Sequence, residues 1–114
     1  MSTSIECLPC GSVKTGNWYA WNNLMPPKPD DFHIIGDIEV PNPGVEPVLA
    51  QKVPQGVNPA ILLLDLFLVQ QPGNWPQVVV TKQVRFDRRN ATFEQAQVFC
   101  GNEVIADVKV EDVH

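Results

Sequence analysis

Catalytic groups are scarce in this chain. It holds two histidines, one of them the terminal His114, and it has no serine in a glycine-flanked elbow and no glycine-rich run of the kind that cradles phosphate. The adjacent carboxylates Asp30-Asp31 and Glu111-Asp112 would project to opposite sides of an extended chain, so neither couple is placed for acid–base work. The residues lean away from an enzyme.

Positive charge is also in short supply. Eight Lys and Arg against 13 Asp and Glu leave a net charge of −5 and a pI near 4.8, so no broad positive field exists to gather phosphates, and neither nucleic acid nor an anionic membrane is an expected partner. The basic cluster of Lys82, Arg85, Arg88 and Arg89 reads as a solvated strand end. A long uninterrupted apolar run is missing, which excludes a spanning helix. Met1 to Leu8 lack the basic and apolar regions of a secretory signal. The expected location is therefore cytoplasmic, and the three cysteines, an odd number, suit a reducing compartment better than a disulfide scaffold.

Proline is absent after Pro76, although the chain has 11 in all. Because proline lacks the ladder donor, the proline-free end is where regular hairpins are most secure. Residues 1–31 contain Pro26-Pro27-Lys28-Pro29 and many Gly, Asn, Ser and Asp with no sustained period, and they read as an irregular arm. Residues 32–114 read as one domain. Strands are expected at about 32–40, 45–53, 60–70, 77–87, 93–100 and 103–111, separated by turn clusters such as Pro41-Asn42-Pro43-Gly44, Pro72-Gly73-Asn74 and Gly101-Asn102. With no amphipathic helix in the pattern, the expected fold is an all-β antiparallel sandwich of about six to seven strands, Ig-like in size and strand count.

The centre of the pattern is Ile61-Leu62-Leu63-Leu64-Asp65-Leu66-Phe67-Leu68-Val69, followed by the valine-rich Val78 to Phe86. Paired as a hairpin, they set Ile61 against Phe86, Leu63 against Val84, Phe67 against Val80 and Asp65 against Lys82, a cross-strand ion pair. The opposite face then presents Leu62, Leu64, Leu66 and Leu68 beside Arg85, Gln83 and Thr81. Such an apolar face needs a cover, and it is the expected interface. In the last hairpin, a two-residue Gly101-Asn102 turn sets Cys100 opposite Glu103 and Phe99 opposite Val104, with Gln97, Gln95 and Phe93 following on the same face opposite Ala106, Val108 and Val110.

Four minor features could carry chemistry. Cys7-Leu8-Pro9-Cys10 has the C-x-x-C spacing of dithiol centres and half-zinc sites, with His33 as a further candidate ligand, but no second pair repeats the spacing. Trp18, Tyr19, Trp21 and Trp75, with several Asn and Gln, resemble the stacking platforms that bind sugars, or simply close the ends of a core. Pro26 to Pro29 has P-x-x-P spacing, and Asn90-Ala91-Thr92 is a sequon that matters only on a secretory route. The expected function is a non-catalytic interaction or assembly module, with a protein partner or a second copy on its surface and no cofactor. A metal or thiol-redox protein using Cys7 and Cys10 and a carbohydrate binder using the tryptophans are the alternatives.

Overall fold

The alternation of apolar and polar residues that marks the strands also decides which side of each strand faces inward. In a computed structural model, which describes the main chain of residues 6–8 and all of residues 14–114, the chain forms eight strands and no helix among the described residues. They are β1 (Glu6–Leu8), β2 (Thr15–Asn23), β3 (Asp31–Val40), β4 (Val45–Gln51), β5 (Ile61–Gln70), β6 (Val80–Arg89), β7 (Gln95–Cys100) and β8 (Glu103–Val113). Phe32, Ile34, Ile38 and Val40 from β3, Leu62, Leu64, Leu66 and Leu68 from β5, and Ala96 and Val98 from β7 all point into one core.

All strands belong to one mixed sheet that curls until it is nearly a barrel. β5 is paired on both edges: β4 takes one, while β7 and β1 share the other, opposite Ile61–Asp65 and Leu68–Gln70 respectively. From β7 the ladder passes to β8, then to β2, β3 and β6. β8 makes the corner, bonding β7 with its first part and β2 with residues 110–113. The β5–β7 and β2–β8 pairings are parallel, so the all-β expectation holds while a purely antiparallel ladder does not describe the sheet.

The curl closes at β4 and β6 through side chains. Lys82 Nζ on β6 reaches both Glu46 Oε1 and the Pro43 carbonyl at 2.6 Å, and Arg88 donates to Gln51 Oε1 at 3.1 Å. β6 therefore pairs along its length with β3 and not with β5. The expected Asp65–Lys82 pair is replaced by two others, because the turn after β5 carries β6 to the far end of the ladder: Asp65 meets Lys52 at 3.0 Å, and Lys82 meets Glu46. Leu62, Leu64, Leu66 and Leu68 are at most 2% exposed. Their cover is the opposite wall of the same chain, so this face is core and not an interface.

Two further expectations change for local reasons. Residues 15–23, read as part of an irregular arm, form β2 in the middle of the sheet between β3 and β8. A bulge hides the strand's period: between Gly16 and Tyr19 two residues of β2 oppose only Gly36, with Asn17 at φ 54° and its amide donating to Asp37 at 2.8 Å. In the last hairpin, the expected pairs Cys100–Glu103 and Phe99–Val104 form, but Val98 then faces Ala106, skipping Ile105. This one-residue slip sets Ala96 opposite Val108, so Ala96 and Val98 take the inward side of β7 in place of Gln95 and Gln97, while Val108 and Val110 face inward as expected.

The bulge depends on Gly36. Trp18 lies over it so closely that a Cβ there would fall 2.3 Å from the indole ring, and the ring is held by its own N–H donating to Thr15 Oγ1 at 3.0 Å. Gly36→Ala must push Trp18 away and is expected to lower stability by about 1–3 kcal/mol. In Trp18→Ala the same change should cost much less, a non-additivity that urea unfolding of the four variants of a double-mutant cycle measures.

Candidate functional site

Once the bulge has placed Ala20 and Asn22 inward, Tyr19 and Trp21 must point outward from β2. The registers continue this row across the sheet: Trp21 lies between Glu111 of β8 and His33 of β3, His33 faces Asp87 of β6, and Tyr19 neighbours Ile35, which faces Arg85. The outer face of β8-β2-β3-β6 therefore has an aromatic centre and charged sides. Tyr19 and Trp21 stack with centroids 5.0 Å apart and planes inclined by 21°, and His33 lies on the other side of Trp21 at 5.1 Å.

The polar groups of this face are tied to one another. His33 Nδ1 is 2.6 Å from Asp87 Oδ1, and Arg85 Nε donates to both Asp87 oxygens at 2.9 Å. Desolvation works to raise the Asp87 carboxyl, but the hydrogen bonds and charges of Arg85 and His33 outweigh it and hold the group below its ordinary value. Loss of solvent, then the charge and hydrogen bond of Glu111, push the Tyr19 phenol up. At neutral pH the face thus presents an intact phenol, an indole and a fixed Arg–Asp–His network. The carboxylate–histidine pair on this face is already engaged by an arginine.

The four aromatic candidates separate. Trp18 packs inward against the core, Tyr19 and Trp21 share the outer face, and Trp75 covers Gly44 in the turn after β5, with its N–H donating to the Gln71 carbonyl at 3.1 Å. Around Trp75 a cleft of about 390 Å³ is lined by Asn and Gln side chains. A larger recess of about 700 Å³ lies beside Asn22, Phe93 and Asp112. There Asn22 is a structural staple: its amide donates to the Phe93 carbonyl and to Asp112, and its oxygen accepts from the Phe93 N–H.

Among the described residues no three His, Cys, Asp or Glu are gathered as a metal would need, and His33 is committed to Asp87 and Trp21. The Cys7 and Cys10 side chains lie outside the described residues. Cys100 is 7% exposed and disulfide-bonded, which differs from the reducing-compartment reading. An odd cysteine count neither requires nor excludes such a bond. Asp87 escaped the sequence reading, and Arg85 and Glu111 entered it only as part of a solvated strand end and of an uncoupled carboxylate couple. Each is an ordinary exposed strand residue until the sheet sets it on the same face as the rings.

Comparison with known protein families, curated proteins and solved structures returns no match. The reading of the site therefore rests on its geometry.

The Asp87 carboxyl, held low in the folded chain, contributes stability that is fully present above the unfolded pKa and lost as the pH falls through the folded one. Asp87→Asn is expected to flatten the stability profile between about pH 5 and pH 2, read from urea unfolding at a series of pH values. The disulfide at Cys100 predicts that an alkylating reagent leaves Cys100 unmodified in the denatured, unreduced protein and modifies it after reduction, read by peptide mass spectrometry.

Proposed function

We propose that this protein acts by binding and not by catalysis, as an interaction domain that pairs with a second copy through the outer face of β8-β2-β3-β6. One observation supports this reading above the rest: Tyr19 and Trp21 stack on the outward side of a strand in the middle of the sheet, with Tyr19 41% exposed. The solvated face of a sheet ordinarily alternates to polar side chains. Two large rings there hold apolar area in water that a partner would remove, and Tyr, Trp and Arg are the residues that dominate interface energies. Arg85 lies on the same face beyond Ile35, two strands from Tyr19, oriented by Asp87.

The charges at the sides of the face suit a second copy. Glu111 flanks the rings from β8, and Arg85 and Arg89 lie on β6 at the opposite side. A two-fold axis along the strands lays the acidic side of one copy on the basic side of the other, which is the self-complementarity an isologous dimer needs. This surface takes the place of the leucine face, which the core consumes.

Sedimentation velocity over a dilution series tests the proposal. The native chain is expected to sediment as a dimer that dissociates on dilution, and Tyr19→Ala or Trp21→Ala to raise the dimer Kd by about tenfold or more while the circular dichroism spectrum is unchanged. A chain monomeric at every concentration, or a dimer indifferent to both substitutions, rules this face out.

A further inference from the structure

The turn that follows β5 folds back over the start of β4 and builds a recess independent of the stacked rings. The Gln71 N–H donates to the Gly44 carbonyl at 2.8 Å, and the indole of Trp75 lies so close over Gly44 that a Cβ there would come within 2.3 Å of it. With one face against Gly44 and its N–H donating to the Gln71 carbonyl, the ring has a set orientation and is still 38% exposed. The floor beside it is a reciprocal amide pair. Asn42 donates to Gln70 Oε1 at 2.9 Å, and Gln70 donates back to Asn42 Oδ1 at 3.2 Å while also reaching the Gln71 carbonyl. Asn42, only 7% exposed, is fixed further by accepting from the Gly44 N–H.

The rim is chemically different from the floor. Gln71, Asn74 and Gln77 line the cleft, and their side-chain amides make no hydrogen bond among the described residues. Each such amide offers two donors and an oxygen with two lone pairs. Among the described residues no ionisable side chain lines the cleft, so a charged ligand would be desolvated there without a counter-charge. A turn needs a cap over Gly44 to hold its shape, and Trp75 supplies it. That role does not require three uncommitted amides around the exposed part of the ring.

We propose that this cleft is a binding site for a neutral saccharide, with Trp75 stacking on the C–H face of a pyranose ring and the Gln71, Asn74 and Gln77 amides bonding its hydroxyls. Each sugar hydroxyl is both donor and acceptor, and an amide answers both functions at once. The C–H face of a pyranose supplies the flat apolar area that an indole covers. The cleft volume of about 390 Å³ lies within the range of small-ligand sites. Of the aromatic residues the sequence offered for a sugar, this assigns Trp75 alone.

Titration of ¹⁵N-labelled protein with neutral gluco-, manno- and galacto-oligosaccharides, and separately with uncharged nucleosides, tests the site by NMR. At least one saccharide is expected to shift the side-chain amide signals of Gln71, Asn74 and Gln77 and the Trp75 indole N–H. Trp75→Ala and Gln77→Ala should each weaken that binding by about fivefold or more. Gln77 is exposed, so its variant keeps the test decisive if Trp75→Ala loosens the turn. Silence of these four residues toward every saccharide, a response to nucleosides alone, or saccharide shifts confined to Tyr19 and Trp21 would each overturn the assignment.

Discussion

The inward face of β5 organises the molecule. Leu62, Leu64, Leu66 and Leu68 are all but completely buried, and each such side chain contributes about 1.5–3 kcal/mol relative to exposure. A strand with that face cannot sit at a solvated edge, and β5 is bonded on both edges, by β4 and by β7 with β1. The remaining strands must then curl around it to supply the opposing wall, with Ile34, Ile38 and Val84 coming from the far side of the ladder. Asp65 on the outward face of β5 pairs with Lys52, whose ammonium also lies 4.9 Å from the centre of the Phe99 ring.

Both candidate surfaces follow from that curl. Inward placement of alternate residues on β2 leaves Tyr19 and Trp21 outside, and inward placement of β5 leaves its following turn at the rim, where Trp75 can close over Gly44. The closure at β4 and β6 uses Lys82 and Arg88 in place of a ladder. Charged side chains along such a seam also blunt the two strand edges that would otherwise invite pairing with other chains.

Much of the strand pattern was legible in the sequence. Turn clusters bounded β3, β4, β5, β7 and β8 to within a few residues, because Pro, Gly and Asn supply the backbone geometries that strands cannot use. β2 was not legible: the bulge at Asn17 and Trp18 breaks its alternation, and a bulge shows its signature only when the partner strand is known. The same limit applied to the last hairpin, where the turn correctly paired Cys100 with Glu103 but a skipped Ile105 exchanged the inward side of β7. For the candidate surfaces, the sequence pointed to Trp75 among Asn and Gln and to Tyr19 with Trp21, and it had no means of separating them from the inward Trp18.

Residue order alone settles local matters: strands and turns without helix, a negative net charge, and the alternation that commits one side of each strand to apolar contact. Partner choice was decided only in three dimensions. Asp65 and Lys82 match in charge and in register, and each nonetheless found a different mate, because every alternating strand is compatible with several neighbours. The selection is made by enclosing the leucines of β5, a requirement on the whole chain that no pair of segments expresses. The same enclosure decides which side chains remain outside, and so where the protein can meet a partner.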